Sequence, residues 1–171
     1  MVKDIIINTR KNLKYAKIII PKITKKAGVF FDRDGVINVD NNYVFRIKDF
    51  IFKSNIIKTL KKISQKNYYI FIVTNQAGIG HGIFKFSDFL NLQLNLKKFL
   101  FKRNILINDI KFCPYHKFAK IKKYKKVSLY RKPGNLMVEN IKKNWQLNLN
   151  KSFMIGDKLS DKKCAEKSNL N

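Results

Sequence analysis

The sequence has few cysteines, few glycines and prolines, few acidic residues and no long apolar run. Only two cysteines, Cys113 and Cys164, occur among its 171 residues, too few for a disulfide framework. Apolar runs such as Ile5 to Ile7 and Ile18 to Ile20 are far shorter than the roughly 18 residues of a membrane span, and the N-terminus lacks the apolar stretch of a signal peptide. We therefore expect a reduced, cytoplasmic protein that does not enter a membrane.

Acidic residues are scarce beside the basic ones. The chain carries 11 Asp and Glu against 37 Lys and Arg, a formal net charge of +26. Such a charge ordinarily indicates a nucleic-acid partner. Arginine, whose planar fork reads bases and phosphates, occurs only at positions 10, 33, 46, 103 and 131. Asn, Ile, Lys, Phe and Tyr are abundant together, as AT-rich codons would produce. We attribute the charge to genome composition and expect no nucleic-acid partner; a polyanion partner and a general attraction of anionic substrates remain alternatives.

The apolar content, 45% hydrophobic and 13% aromatic residues, is enough for the core of one compact domain. Residues 1–27 alternate short Ile runs with lysines, include Pro21 and end at Ala27 and Gly28, which predicts a basic N-terminal arm before a domain of residues 28–171. Within this domain, apolar runs that end in polar residues predict buried strands at 29–32, 68–74, 109–113 and 153–157.

Helical periodicity lies between these runs. One apolar series, Ile56 to Ile63, follows Ser54 as a predicted N-cap, and a similar series follows Gly134. Residues 87–103 fit either a helix or a strand, and their length favours a helix. Gly78 to Gly82 lacks the spacing of a dinucleotide fingerprint and is interpreted as a flexible loop near the site. Alternating strands and helices predict an α/β fold with a mainly parallel sheet, whose polar strand ends meet at one site.

Two carboxylates, Asp32 and Asp34, stand at the end of the first predicted strand. Side chains at i and i+2 of an extended chain point to the same side, so both face one site. Asp32 can attack phosphorus while Asp34 transfers protons. A carboxylate that approaches an anionic phosphate requires a cation, and Mg2+ prefers oxygen ligands such as these and Asp157, which ends the last predicted strand. A lone strand-end Asp is more often a cap or turn former, but the three together predict a metal-dependent phosphoryl-transfer site.

Two further segments offer groups that suit a phosphoryl group. Thr74 and Asn75, after the second predicted strand, supply a hydroxyl and amide donors, and Lys132 supplies a fixed positive charge. Each is unremarkable alone, because Thr-Asn often forms a turn and lysine is abundant in this chain. Asp161, one turn beyond Asp157, is interpreted as a residue that orients Asp157.

The order of these segments resembles the four motifs of the haloacid dehalogenase superfamily. The motifs read Asp32-Arg33-Asp34, Val73-Thr74-Asn75-Gln76, Arg131-Lys132-Pro133 and Gly156-Asp157 with Asp161. At closer range, Phe31 to Asp40, Val73 to Gly82, Cys113-Pro114 and Met154 to Leu159 resemble the heptose-bisphosphate 7-phosphatases of its histidinol-phosphatase-like branch. The resemblance runs from about Gly28 to the C-terminus. It implies a Rossmann-like three-layer sandwich without a large cap domain.

The resemblance also implies roles for individual residues. Asp32 would be the nucleophile, Asp34 would protonate the leaving sugar oxygen and then activate water, and Thr74 and Lys132 would steady the phosphoryl group. Mg2+ would lie on Asp32, the Asp34 backbone carbonyl and Asp157. Substrate contacts are implied for Asp40, Asn41, Asn42, Tyr43, Asn75, Gln76, Ala77, Arg131 and Lys158. The implied reaction removes the 7-phosphate of a small phosphorylated sugar, D-glycero-D-manno-heptose 1,7-bisphosphate, in the route to the ADP-heptose of lipopolysaccharide core, and we expect a monomer.

Two features depart from this family pattern. Many members hold zinc with Cys-x-His and Cys-x-Cys, but here only Cys113 matches. The other ligand positions hold Tyr115, Ser128 and Tyr130, and His116 is out of register. These residues cannot form the usual four-ligand site, so we expect no zinc and a loop, Lys117 to Leu129, that is either held by packing or mobile. The chain also stops at Asn171, where relatives continue into a further strand, so we expect an open sheet edge.

Three other functions remain open from the sequence. A related phosphatase could act on histidinol phosphate, or on 3'-phosphate ends of nucleic acids, where the second motif also contains Thr-Asn-Gln. The positive charge favours the nucleic-acid version, but the lysines are scattered and no aromatic platform for stacking bases is identifiable. A catalytically weakened basic binding protein on a phosphatase scaffold is the third. The intact Asp32, Asp34, Thr74, Lys132 and Asp157 argue against it.

Overall fold

The computed structural model describes the backbone of residues 3–9 and 12–18 and the complete residues 25–171. Lys3–Thr9 (β1) and Asn12–Ile18 (β2) pair antiparallel as a separate two-stranded sheet. The sequence analysis predicts an arm here but not its strands. Pro21, on which the predicted arm partly rests, lies outside the described residues. The division into an arm and a domain stays a prediction.

The main sheet has four parallel strands in the order β5-β4-β3-β6. The strands are Gly28–Phe31 (β3), Tyr69–Asn75 (β4), Asp109–Cys113 (β5) and Phe153–Ile155 (β6). In this register Phe30 of β3 lies opposite Phe71 on one side and Met154 on the other. All four apolar runs predicted from the sequence are therefore strands, with small shifts at their ends. The mainly parallel α/β fold is confirmed.

Five helices connect or follow these strands in the described part of the chain. They are Ile56–Gln65 (α1), Ala77–His81 (α2), Phe86–Phe101 (α3), Leu136–Asn144 (α4) and Leu159–Lys167 (α5). Single 3-10 turns lie at Ile47–Asp49, Lys122–Tyr124 and Leu149–Lys151. The helix predicted at 87–103 is confirmed as α3.

Two local predictions are wrong. The residue before α1 is Asn55 at φ +61°, not Ser54, because Asn tolerates the left-handed conformation that this chain entry requires. The Gly78 to Gly82 segment is mostly helical rather than a flexible loop. A side chain at Gly78 would overlap the Phe84 ring, and one at Gly80 would overlap the Pro114 carbonyl. These two glycines therefore serve close packing and not mobility.

The core lies on both faces of the main sheet. On one face, Val29 and Phe31 of β3 belong to a buried cluster that also contains residues of α1 and α3. On the other face, Phe30 belongs to a second cluster that contains residues of α4 and α5. Successive residues of a strand point to opposite faces, and both faces are covered here, which explains the continuous apolar runs. The result is the three-layer sandwich that the family resemblance implies.

Strand β6 forms one edge of this sheet. The Met154 amide donates a hydrogen bond to the Asn171 carbonyl over 2.9 Å, and the Asn171 amide donates to the Ser152 carbonyl over 3.2 Å. The edge that the sequence analysis expects to be open thus pairs with Asn171.

Among the described residues, no helix combines the length and apolar character needed to cross a membrane.

Candidate active site

A cleft of about 320 Å³ opens at the carboxyl end of the main sheet. Asp32 follows β3, and Asn75 ends β4, so adjacent parallel strands deliver their polar ends to it. The cleft is lined by Asp32, Asp34, Asp40, Tyr43, Asn75, Gln76, Ala77, Arg131, Lys132, Lys158 and Ser160. All of these except Ser160 are predicted site residues. Ser160 lies between Lys158 and Asp161 at the start of α5. Its position between these two residues is the sequence feature from which it could have been predicted.

Four predicted site residues do not line this cleft. Thr74 is buried below it, where its hydroxyl accepts a hydrogen bond from Gln76 Nε2 over 2.9 Å. Asn41 and Asn42 are exposed on the loop after β3. Asp157 is exposed beside the cleft and lines a neighbouring depression. The roles predicted for these residues, like those of the lining residues, stay predictions.

Lys132 lies between two buried carboxylates. Its Nζ is 2.8 Å from Asp32 Oδ1 and 2.6 Å from Asp161 Oδ1. At these distances the ammonium forms charge-assisted contacts with both carboxylates. Burial raises the pKa of the Asp32 carboxyl above its usual value by more than the adjacent Lys132 lowers it. A further cation beside Asp32 would favour its ionised form.

Asp157 reaches this group because residue 35 is a glycine. Gly35 has φ +89°, and a side chain there would overlap the Asp157 carboxylate. Oxygen atoms of Asp32, Asp157 and Asp161 lie within 4.8 Å of one another, a set of hard ligands that fits Mg2+. Both Asp161 oxygens already face protein donors, Lys132 Nζ and the Lys158 amide. The Asp157 carboxylate is exposed, so it is more accessible to an ion than Asp161. Asp161 contacts Lys132, and its predicted role in orienting Asp157 stays a prediction.

Asp34 is held by donors from three residues. Arg33 Nη2 lies 2.9 Å from its Oδ1 and 3.0 Å from its Oδ2. Asn38 Nδ2 donates to Oδ1 over 3.0 Å, and Gln76 Nε2 donates to Oδ2 over 2.8 Å. The buried Gln76 amide nitrogen thus donates hydrogen bonds to both Asp34 and Thr74, and it orients these two side chains. The sequence analysis predicts Gln76 only as a substrate contact.

Asn75 anchors the segment that carries Lys132. Its Oδ1 accepts a hydrogen bond from the Lys132 amide over 3.0 Å, and its Nδ2 donates to the Lys132 carbonyl over 3.1 Å. This pair joins the end of β4 to a residue 57 positions later. It explains how a lysine in a loop reaches a fixed place beside Asp32.

An ion pair spans the mouth of the cleft. Lys158 Nζ lies 3.0 Å from Asp40 Oδ2, and this hydrogen bond is the main reason that the pKa of Lys158 is raised. Both side chains are partly exposed. Asp40 and Lys158 lie far apart in the sequence, so the ion pair joins two separate segments beside the cleft.

Backbone hydrogen bonds connect the segment after Cys113 within itself and to α2. The His116 amide donates to the Tyr124 carbonyl over 3.1 Å, and the Ile121 amide donates to the Gly80 carbonyl over 2.9 Å. Tyr115 and Tyr130, at two of the family's zinc positions, pack against the core around α4 and α5. Within the loop Lys117 to Leu129 itself, Ala119 is buried, but most side chains, such as those of Phe118 and Val127, are exposed. Within residues 25–171 the clustered metal-ligating side chains are Asp32, Asp157 and Asp161, and the absence of zinc stays a prediction.

A parallel sheet with Asp32 and Asp34 after an inner strand, and Lys132 and Asp161 beside Asp32, is the arrangement of a haloacid-dehalogenase-type phosphatase. The family model described as polynucleotide kinase 3 phosphatase matches residues 28–169. A D-glycero-β-D-manno-heptose-1,7-bisphosphate 7-phosphatase from Photorhabdus laumondii is 39% identical over 137 residues, which are 80% of this chain and 73% of that protein. The chain belongs to this family of phosphatases, enzymes that hydrolyse phosphoric monoesters.

Other relatives are similar over the same part of the chain. A D-glycero-α-D-manno-heptose-1,7-bisphosphate 7-phosphatase from Campylobacter jejuni is 38% identical to this chain. The match covers 80% of this chain and 74% of that protein. The solved structure of a D,D-heptose 1,7-bisphosphate phosphatase from B. bronchiseptica, in complex with magnesium and phosphate, superposes with a TM-score of 0.75 at 21% identity. That match covers 84% of this chain and 77% of the other, and it supports the fold.

Proposed function

We propose that this protein is a Mg2+-dependent phosphatase that removes the 7-phosphate of D-glycero-D-manno-heptose 1,7-bisphosphate. The observation that carries the proposal is the approach of Lys132 Nζ to within 2.8 Å of Asp32 Oδ1, in a cleft that Asp34 also lines. The names of the relatives support the sugar substrate. The proposal includes a monomeric, cytoplasmic enzyme in the route to the ADP-heptose of lipopolysaccharide core.

The reaction uses Asp32 and Asp34 in two steps. In the first, an Asp32 oxygen attacks phosphorus, the bond from phosphorus to the sugar oxygen breaks, and Asp34 gives its proton to that oxygen. The free sugar hydroxyl and an aspartyl phosphate on Asp32 result. In the second, Asp34 takes a proton from water, and the water oxygen attacks the same phosphorus. Inorganic phosphate leaves, Asp32 is a carboxylate again, and Asp34 is protonated for the next cycle.

A metal ion and Lys132 would reduce the charge repulsion in the first step. Asp32, the Asp34 backbone carbonyl and Asp157 would hold Mg2+, which when bound neutralises charge on the phosphoryl oxygens. Lys132 would place its positive charge beside those oxygens, and the contact with Asp161 holds the ammonium in position. Thr74 lies below, with its hydroxyl already bonded to Gln76. We therefore expect Thr74 to act on the phosphoryl group less directly than Lys132.

The mouth of the cleft would hold the sugar. Asp40 and Lys158 offer a carboxylate and an ammonium for its hydroxyl groups, with Tyr43 beside them. Arg131, half-buried in the cleft wall, offers a guanidinium for the phosphate that does not react. Ser160 adds a further hydroxyl to this wall. The arrangement therefore suits a small sugar with two phosphates.

The proposal predicts substrate preference and a nucleophile-dependent rate. Phosphate release should require Mg2+ and should show a higher kcat/KM for heptose 1,7-bisphosphate than for histidinol phosphate or a 3'-phosphorylated oligonucleotide. Asp32→Asn, which keeps the shape but removes the nucleophile, should lower kcat by at least about a thousandfold. Asp109→Asn, at the opposite end of the sheet from the cleft, is the matched control and should retain activity. No turnover of any substrate would favour a silent binding protein.

A second candidate function is removal of 3'-phosphates from nucleic-acid ends. A pocket of about 240 Å³ adjoins the cleft, shares Arg131 and Lys132 with it, and adds Lys117 and Lys126 without a carboxylate in its lining. Such a pocket could accept the next phosphate of a strand. The description of the matching family model points the same way. A higher kcat/KM for the 3'-phosphorylated oligonucleotide than for the heptose would make this the function and would exclude the first proposal.

A further inference from the structure

Arg33 separates Asp32 from Asp34 in the sequence, and its side chain is completely buried. A guanidinium is rarely found in such a position unless it is paired, because removing its charge from water is costly. An apolar residue of similar volume would usually give equal or greater stability at such a site. The presence of an arginine here therefore calls for a reason other than packing.

The guanidinium makes five polar contacts, three with Asp34 and one each with Val44 and Gln76. Nε lies 3.1 Å from Asp34 Oδ1, and Nη2 bridges both Asp34 oxygens at 2.9 and 3.0 Å. The same Nη2 donates to the Val44 carbonyl over 2.8 Å and approaches Gln76 Oε1 at 3.3 Å. Its carbon lies 5.8 Å from the centre of the Phe89 ring. These partners come from separate segments, so the guanidinium cannot turn without breaking several contacts.

Asp34 is fixed in turn. The planar fork of Arg33 meets the carboxylate with two nitrogens, a geometry that lysine cannot supply. Asn38 and Gln76 complete the set of donors. Rotation of the carboxyl group would lose all of these hydrogen bonds together. The Val44 contact also ties this group to the loop that carries Asp40 and Tyr43.

We propose that Arg33 is a positioning residue that holds the Asp34 carboxyl in the orientation for proton transfer to the leaving oxygen. This rests on the proposed phosphatase function and adds a residue to it. Proton transfer requires the acid within hydrogen-bond reach of a defined atom, so small rotations of the carboxyl group lower the rate.

The proposal makes the effect of Arg33 depend on the leaving group. A sugar oxygen must be protonated as it departs, whereas p-nitrophenolate leaves without a proton. Loss of the Asp34 orientation should therefore slow release of the sugar and spare release of p-nitrophenolate. A general structural defect would slow both equally. The two substrates thus separate positioning from folding.

The experiment measures the first turnover of the full-length protein with Mg2+, with enzyme in excess, for heptose 1,7-bisphosphate and for p-nitrophenyl phosphate. Arg33→Lys keeps the charge but not the fork, and Arg33→Met removes both. We expect the rate of sugar release to fall about a hundredfold in each variant, and that of p-nitrophenolate to change less than about threefold. Arg103→Lys, an exposed arginine at the end of α3, is the matched control and should change neither rate.

Several outcomes would overturn the proposal. Equal losses with both substrates, or no loss in either Arg33 variant, would exclude a positioning role for Arg33 while leaving the phosphatase function in place. If Arg33→Met does not fold, Arg33→Lys alone decides between these results. If the unmodified protein turns over neither substrate, the proposed function and this inference fail together.

Discussion

Lys132 is a buried cation whose two carboxylate partners, Asp32 and Asp161, are also buried. Lys132→Met would leave these charges without compensation, and we expect a loss of about 3 kcal/mol in the free energy of unfolding, together with loss of activity. Lys142→Met is the matched control. Lys142 pairs with Glu139 over 2.9 Å near the surface, where such pairs contribute roughly 0–1 kcal/mol.

Urea unfolding of both variants without added metal checks this expectation. If Lys132→Met costs no more than Lys142→Met, the charge pairs at Asp32 do not stabilise the fold. Addition of Mg2+ gives a second readout. Mg2+ bound at the intact carboxylates should stabilise both variants, and it should stabilise Lys132→Met more, because there it also replaces the missing positive charge beside Asp32.

The catalytic residues could be predicted from the sequence more readily than the residues that hold them. Asp32 and Asp34 were predicted from their spacing after an apolar run, and they line one cleft. Gln76 and Asn75 were predicted only as substrate contacts. Their side chains hydrogen bond to Asp34, 42 residues away, and to Lys132, 57 residues away. Such pairs depend on how the strands assemble, which no local pattern records.

At the scale of elements, the apolar runs predicted all four strands of the main sheet, because a strand covered on both faces must be apolar throughout. The helix α2 was not predicted. Its glycines suggest mobility to a reader of the sequence, and only the approach of Phe84 and Pro114 shows that they are required for packing. The order of the strands likewise depends on which faces the helices cover, so the neighbours of β3 could not be read from the chain.

At the same scale, we expect the conformation of the segment from Pro114 to Tyr130 not to depend on zinc. Cys113 is buried, and burial raises the pKa of its thiol, which disfavours the thiolate that binds metals. A zinc-selective chelator should therefore leave both the melting temperature and the Mg2+-supported activity unchanged. Removal of Mg2+ with a general chelator serves as the positive control. Activity that returned only on addition of zinc would show that the segment binds it.

At the scale of the whole molecule, the formal charge of +26 must be reconciled with a small anionic substrate. The described ion pairs use only a few of the basic residues, so most lysines face solvent without a carboxylate partner in the described part of the chain. Such a surface attracts any polyanion through release of counterions. Attraction of this kind carries no information about the reaction in the cleft.

We therefore expect oligonucleotide binding that is sensitive to salt and indifferent to the end of the strand. Affinity should fall by about a hundredfold or more between 50 and 200 mM salt, as expected when several phosphates are contacted. Strands that end in a 3'-phosphate and in a 3'-hydroxyl should bind equally, and Asp32→Asn should bind like the unmodified protein, because the cleft would hold neither end. Fluorescence anisotropy with labelled strands checks this. A preference for the 3'-phosphate that persists at 200 mM salt would mean that the cleft holds the strand end, and the charge would then belong to the function.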